Sequence, residues 1–369
     1  MKRLAIVLAI IIFFIAAAWI LFIRFTKQIV SPQVQPSFTF LLSSSTPPLS
    51  PAKNRLFYVN QSGIFSYDVA TGKALQIAAI NASTSVFNGQ RIGDDTIGFE
   101  VGQAYSNETS SVYMLDLASN ALTKEADIGG NGAWFVDNLD FVAPGEFVYT
   151  EASETSTMID NYESVLLFKN GTTTRIGYIS NPGEYGSTLS SSPDGKHIFF
   201  AGQIYSMTAK SWTSVPKKCQ GPESAWLNND VVILKWESDG NSGDICYYDI
   251  HSGTEGDVGP AEGFNVAGNN IFYMHFGTTS AGLFQILQYD YATHAARVII
   301  PNARLWSYYH YDMDGSPGVV YQPVMSSGTC FELDCLGGIA TGNLMMFNTA
   351  TGSSTPLGFG SVENVTDLF

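Results

Sequence analysis

The chain has 369 residues, of which 45% are hydrophobic and only 14% are charged, and its formal net charge at pH 7 is −15. Globular proteins carry about 25% charged residues. The low value, combined with 35 Gly and 13% aromatic residues, excludes a long helical array and a largely disordered chain. The acidic balance also argues against a nucleic-acid-binding protein, which needs a basic surface to neutralise phosphates.

The chain begins with an uncharged, largely aliphatic segment over residues 4–23, flanked by the basic residues Lys2, Arg3, Arg24 and Lys27. A helix of this length, at about 1.5 Å per residue, spans a bilayer core of about 30 Å. We therefore predict that residues 1–27 form a signal anchor that crosses the lipid bilayer through residues 4–23. The N-terminus would then be cytoplasmic and the rest of the chain extracytoplasmic. The alternatives are a signal peptide cleaved after the small residues at 16–18 and a buried helix of a soluble protein.

Residues 28–51 are predicted to form a tether, since residues 31–51 contain five Pro and six Ser. Within this stretch, residues 37–42 alternatively form a strand. All 33 acidic residues but only 14 of the 18 basic residues lie beyond residue 27, so that part carries a formal charge of −19. We expect it to bind neither anionic lipid nor nucleic acid.

A repeat runs through residues 52–369. In each copy an apolar strand ends in an aromatic residue or Leu, a turn rich in Asp, Asn, Ser, Thr and Gly follows, and a second strand begins. The strand-ending residues, spaced by 37 to 58 positions, are Tyr67, Leu115, Phe168, Tyr205, Tyr248, Tyr289 and Phe347. Such a step accommodates the four antiparallel strands of one β-propeller blade, and each copy is expected to be the hairpin between the third and fourth strands.

A candidate second strand precedes each hairpin, over residues 55–60, 96–101, 146–151, 197–201, 231–236, 270–276 and 318–324. The pattern predicts an all-β fold, a propeller of seven four-stranded blades, with six blades as the alternative. The first hairpin has only one clear strand before it. We therefore expect the C-terminal tail, residues 362–369, to supply the inner strand of the first blade, with residues 37–42 as the rival.

One turn carries a family resemblance. The segment from Ser192 to Lys196 reads Ser-Pro-Asp-Gly-Lys and resembles the signature of TolB-like β-propeller repeats. The resemblance implies that this turn joins the first and second strands of a blade. It covers the architecture of residues 52–369 and implies little about function, because TolB-like propellers include envelope scaffolds as well as caps of peptidases. No Trp is followed by Asp, so the WD-repeat signature is missing.

The four cysteines, Cys219, Cys246, Cys330 and Cys335, all lie in the part predicted to be exported. An even number in an oxidising compartment favours two disulfides, one joining Cys219 and Cys246 within a blade and one closing a small loop between Cys330 and Cys335. Free buried thiols and a metal site are the alternatives. The spacing is not that of a zinc motif, and no His stands beside either pair.

The sequence contains no nucleophile elbow and no phosphate-binding glycine loop, and we expect no cofactor and no metal. The long acidic stretch over residues 151–163, with Glu151 and Glu154, could provide paired carboxylates for glycosidic chemistry, although an exposed loop is the simpler interpretation. The aromatic stretch that contains Trp306, Tyr308, Tyr309, His310 and Tyr311 is the sequence most typical of a ligand contact. His197, His251 and His294 are expected at the surface.

These features predict a membrane-anchored, extracytoplasmic propeller that binds a partner without catalysis. The partner would be an envelope or extracellular protein, or cell-wall glycan stacking on aromatic residues. The expected contacts are residues 151–163, 326–342 and 306–311. The alternative is an envelope enzyme, a glycan hydrolase or lyase or a metal-dependent lactonase-like propeller, with its site in the central funnel.

Overall fold

The computed structural model describes residues 37–43, 45–51, 55–103, 109–129, 134–153, 162–180, 188–216, 219, 221, 223–236, 243–276, 284–305, 312–313, 316–325, 339–340, 343–361 and 367–368. Within them the regular elements are β-strands, arranged as a ring of seven antiparallel blades. This confirms the all-β, seven-bladed fold. No helix in the described ranges is long and apolar enough to cross a bilayer; the predicted anchor, residues 4–23, lies outside those ranges.

The first four blades follow one another along the chain. Blade 1 contains β1 (Phe38–Phe40), β2 (Arg55–Asn60), β3 (Gly63–Asp68) and β4 (Lys73–Ile80). Blade 2 contains β5 (Thr84–Ile92), β6 (Thr96–Gln103), β7 (Thr109–Asp116) and β8 (Ala121–Gly129). Blade 3 contains β9 (Trp134–Ala143), β10 (Glu146–Ser153), β11 (Tyr162–Lys169) and β12 (Thr172–Ser180). Blade 4 contains β13 (Ser190–Ser191), β14 (His197–Phe200), β15 (Gln203–Ser206) and β16 (Ser211–Ser214).

The remaining three blades and the closing strand complete the ring. Blade 5 contains β17 (Glu223–Trp226), β18 (Val231–Trp236), β19 (Gly243–Asp249) and β20 (Glu255–Ala261). Blade 6 contains β21 (Gly263–Ala267), β22 (Asn270–Phe276), β23 (Phe284–Asp290) and β24 (Ala295–Ile300). Blade 7 contains β25 (Ala303–Leu305), β26 (Asp312–Met313), β27 (Ser316–Met325), β28 (Ile339–Ala340), β29 (Asn343–Asn348) and β30 (Ser353–Ser361), and β31 (Asp367–Leu368) follows it.

The ring is closed by the C-terminal tail. β31 pairs antiparallel with β2, Tyr58 opposite Leu368, and so becomes the innermost strand of blade 1. The rival segment takes the other edge of the same blade, where β1 pairs with the outer strand β4. The prediction for the tail is confirmed. The strand expected within residues 37–42 also exists, in a different place.

The blades are held together by seven apolar clusters, each shared by two consecutive blades. β18 shows how one strand serves both neighbours: Val232 and Leu234 pack against blade 4, while Val231 and Ile233 pack against blade 6. A strand buried on both faces needs apolar residues at every position, which is why its sequence runs apolar without alternation. The seventh cluster joins Leu56 of blade 1 to Val320 and Leu357 of blade 7, so the ring is closed by packing as well as by hydrogen bonds.

The seven hairpin turns confirm the predicted repeat, since each joins the third and fourth strands of its blade. Asp68 Oδ1 accepts the backbone N–H of Thr71 at 2.9 Å, and Asp116 Oδ1 accepts that of Ser119 at 2.8 Å. These bonds hold the pKa values of both carboxyl groups below their ordinary range. The turn of the TolB-like signature also lies where expected, between β13 and β14. In each blade the turn between the first and second strands and the turn between the third and fourth strands lie at the same end of the ring, which we call the turn end. The opposite end, which carries the connections between the second and third strands and between successive blades, is called the connection end.

Residues 37–51, predicted to belong to a Pro- and Ser-rich tether, pack on the ring instead. Leu42 and Leu49 are buried in the cluster of blades 1 and 2, and the backbone N–H of Leu49 donates to the carbonyl of Leu117 at 2.8 Å. Asn120 Nδ2 donates to the carbonyl of Thr46 at 2.9 Å. The folded domain therefore extends back to residue 37, rather than beginning at residue 52. We call residues 37–51 the strap.

One of the two predicted disulfides is confirmed. Cys219 and Cys246 are bonded, with their Cα atoms 5.8 Å apart, and both sulfurs are buried in the cluster of blades 4 and 5. The bond ties the segment before β17 to the third strand of blade 5. Cys330 and Cys335 lie outside the described residues.

Candidate functional site

Of the contact residues predicted individually, the structure describes Glu151 alone; of the predicted contact ranges it describes 151–153, 162–163 and 339–340. Glu154 and the aromatic set lie outside the described residues, and that set comprises Trp306, Tyr308, Tyr309, His310 and Tyr311. The strands that precede residues 151–163 and 306–311 run in opposite directions along the ring axis. β10 runs toward the connection end and β25 toward the turn end.

Glu151 is not an exposed loop residue, as the simpler interpretation held. It lies within β10, is half-buried, and faces blade 2, where the backbone N–H of Gly129 donates to its carboxylate. Burial raises the pKa of Glu151, and the bond from Gly129 opposes that rise. At the other end of the same stretch, Glu163 belongs to β11 and is buried. Two of the acidic residues are thus built into the blade.

A second carboxyl group, which the sequence did not single out, lies in the seam between blades 2 and 3. Glu100 is only 4% exposed, and it accepts hydrogen bonds from Asn88 Nδ2, at 2.7 Å, and from the hydroxyl of Ser110. Burial outweighs both bonds and raises its pKa. Asn88 has φ of +48° at an irregularity in the inner strand β5, and this bulge turns its amide toward Glu100.

The third carboxyl group belongs to the inner strand of blade 3. Asp140 Oδ2 accepts the backbone N–H of Ser191, in blade 4, at 2.7 Å and also the Ser191 hydroxyl; the Gln90 side chain, from blade 2, is a further partner. Burial raises the pKa of Asp140 from 3.8 to about 7, against the effect of these bonds. Within the part of the chain that the structure describes, no cation is among the groups that act on it. Asp140 therefore titrates close to neutral pH.

Similar bonds link the inner strands of blades 2 to 5. Gln90 Oε1 accepts the N–H of Phe141 at 2.8 Å, joining blades 2 and 3. Ser190 and Ser224 hydroxyls are 2.8 Å apart, joining blades 4 and 5. We call this set the axial belt; its members are Gln90, Asp140, Ser190, Ser191 and Ser224. The belt is polar because inner strands face the ring axis, and each member has a partner on an adjacent blade.

Two further features were missed in the sequence. In blade 5, Lys235 is buried and its Nζ lies 2.7 Å from Glu223 Oε1, so an ion pair joins β18 to the inner strand β17. Beside it, Trp236 is 45% exposed. The sequence did not predict that Lys235, at the end of the apolar run Val231–Leu234, pairs with Glu223, because the pairing depends on the register of β17 against β18.

Two of the histidines expected at the surface contact aromatic rings of a neighbouring blade. His294 is exposed, but its Nδ1 lies 2.9 Å from the hydroxyl of Tyr289, and its ring packs against Tyr247 of blade 5. His197 is half-buried and stacks on Trp226 with ring centroids 5.9 Å apart. Both rings therefore cover seams between blades. Among the described residues, no three His, Cys, Asp or Glu side chains are grouped so as to hold a metal ion.

Comparisons with known proteins support the fold. No protein-family model matches the chain, and no curated protein matches it. Among solved structures, a prolyl endopeptidase is similar with a TM-score of 0.55 and 13% identity over 87% of this chain. A putative 6-phosphogluconolactonase from Bacteroides fragilis has a TM-score of 0.50 and 12% identity, covering 87% of this chain and 99% of its own. TolB from Acinetobacter baumannii is less similar, with a TM-score of 0.43 and 14% identity over 67% of this chain and 63% of its own.

The chain spans about half the length of the endopeptidase, 49% of it. At identities this low, the similarity concerns the β-propeller architecture alone. Because propellers serve both binding proteins and enzymes, this similarity assigns no chemistry to the chain.

Proposed function

We propose that this protein is a membrane-anchored, extracytoplasmic β-propeller that acts as a non-catalytic binding module or cell-envelope scaffold. The anchor is the apolar segment over residues 4–23, with the N-terminus in the cytoplasm. The partner is an envelope or extracellular protein, or cell-wall glycan. The contacts we assign are residues 151–163 and 326–342, which follow the connection-end termini of β10 and β27 in the sequence, and the aromatic stretch 306–311.

The axial belt is the observation that carries this proposal. Catalytic groups need free lone pairs or protons aimed at a substrate. In the belt, Asp140, Gln90 and Ser191 bond instead to adjacent blades, so their bonding capacity holds the ring together. The polar groups of the axial belt in blades 2 to 5 are therefore used in bonds between blades, which favours recognition by the ends of the ring.

An enzymatic role is the second candidate, and a specific observation favours it. Among the described residues, the carboxyl groups with raised pKa values are Glu100, Asp140 and Glu151, and all three lie in blades 2 and 3. A carboxyl group that keeps its proton near neutral pH can serve as a general acid, as glycoside hydrolysis requires. Glu151 is the one of the three nearest the connection end.

The anchor is tested by expressing the full chain and a variant lacking residues 4–23 and extracting the membranes at alkaline pH. The full chain should stay with the membrane, and a protease added outside should reach the propeller. Full release of the parent chain by alkali would contradict the anchor.

The binding role is tested by cross-linking the tagged full chain in native cells. Trimming residues 326–342 should abolish recovery of a reproducible partner protein, whereas Asp116→Asn, at the turn end, should leave recovery unchanged. Retention on isolated cell-wall polysaccharide without a protein partner would identify a glycan ligand. If the protein released new reducing ends from that polysaccharide and Glu151→Gln abolished the release, the hypothesis of a non-catalytic role would be wrong and the protein would be a glycan-cleaving enzyme.

A further inference from the structure

The strap fixes where the chain enters the ring. Phe38 pairs with Ile80 at the end of β4, and the backbone N–H of Ser37 donates to the Thr84 hydroxyl at 2.8 Å. Thr84 begins the first strand of blade 2, and β4 ends at the connection end. The first described residue therefore sits at the connection end of the seam between blades 1 and 2.

From that point the strap runs to the other end of the ring. Phe38 packs on Tyr113, with ring centroids 5.1 Å apart, and Leu42 is buried in the same apolar cluster of blades 1 and 2. At the turn end, the backbone N–H of Ser50 donates to the carbonyl of Leu117 at 3.0 Å, and its hydroxyl bonds to Asp95. Because buried side chains and backbone hydrogen bonds hold the strap along its length, it adds no flexible length to the spacer between the anchor and the ring.

The docked strap shortens the spacer between anchor and ring. Residues 28–51 would reach about 80 Å if extended, at about 3.3 Å per residue, but only residues 28–36 remain, with a reach of about 30 Å. A chain arriving from the bilayer meets the ring at the connection end and then runs away from the membrane along blade 1. We infer that the strap orients the propeller with its connection end toward the bilayer and its turn end away from it.

This inference rests on the proposed anchor and narrows the partner. A partner bound at the connection end, where β10 and β27 end, must itself lie at the membrane surface, as an integral or lipid-attached protein does. The formal charge of −19 on the residues beyond residue 27 disfavours adsorption to anionic headgroups. The connection end therefore faces the bilayer without binding to it.

Blade 1 offers a matched pair of positions for a test. Ala82 and Ala70 are both exposed and both lie in turns next to β4, at the connection end and the turn end respectively. The eight residues of β4 separate them by about 26 Å. A fluorescent amino acid is placed at one or the other in the full chain, reconstituted in nanodiscs that carry acceptor-labelled lipid headgroups. Energy transfer should be greater from position 82 than from position 70.

A control insertion separates orientation from anchoring. Twenty Gly/Ser residues between positions 36 and 37 leave the strap docked but lengthen the spacer, and should erase the difference between the two positions. Equal transfer in the parent chain, or greater transfer from position 70, would overturn the orientation while leaving the anchor intact. A parent chain that leaves the nanodisc fraction would overturn the anchor and the orientation together.

Discussion

Replacing Asp140 with Asn should change how the stability of the ring depends on pH. The Asn side chain has nearly the shape of a protonated Asp, and its Oδ1 can accept the bonds that Ser191 donates. It cannot ionise. The variant therefore keeps the link between blades 3 and 4 and removes the titration of a carboxyl group whose folded-state pKa is about 7.

The sign follows from proton linkage. The folded protein holds the Asp140 proton up to about pH 7, whereas the unfolded chain releases it near pH 4, so the folded state binds more protons between these values. The contribution of Asp140 to the free energy of unfolding is therefore greatest below pH 4 and is lost as pH rises to about 7. Each pKa unit is worth about 1.4 kcal/mol, which sets a ceiling of about 4 kcal/mol. Because Asp140 retains some solvent exposure, we expect about 1–2 kcal/mol between pH 5 and 8.

The assay is urea unfolding of the full chain in detergent at several pH values between 5 and 8, with the disulfide intact. The stability of the parent relative to Asp140→Asn should fall by about 1–2 kcal/mol as pH rises. Asp116→Asn is the matched control, because the pKa of Asp116 is lowered by its turn and its contribution is constant across this range. A parent-to-variant difference that is independent of pH, or that grows with pH, would refute the reasoning.

Three further outcomes test the packing. Deleting residues 362–369 removes β31 and should lower the urea midpoint substantially; an unchanged midpoint would mean that blade 1 does not need its inner strand. Cys246→Ala should cost about 2–4 kcal/mol in urea unfolding and expose one new thiol to labelling, and a loss below about 0.5 kcal/mol would contradict a stabilising bond. Gly177→Ala places a methyl group 2.7 Å from the indole of Trp212, across the seam between blades 3 and 4. It should lower the thermal midpoint at a cost of about 1–3 kcal/mol, whereas Gly318→Ala, whose added methyl group would meet its nearest atom at 3.8 Å, should not add a steric cost.

Little of the candidate site could be read from the sequence. Glu151 was visible because several acidic residues cluster around it. Glu100 and Asp140 stand singly between apolar residues, and nothing local distinguishes a carboxyl group facing a seam from one facing water. Their partners, Asn88 for Glu100 and Ser191 for Asp140, come from another strand or another blade, so only the register and blade order bring them together.

The sequence by itself determined the repeat, the seven blades, the hairpin positions and the role of the tail, because these depend on local turn chemistry and on apolar runs that need burial on both faces. Local chemistry did not limit every turn to Gly and Asn: Lys210 and His294 take positive φ values of 53°. The tertiary structure alone decided that the strap docks on blades 1 and 2. A Pro- and Ser-rich segment has no strong preference for structure of its own, and Leu42 and Leu49 become anchoring residues only where two blades form a groove to bury them.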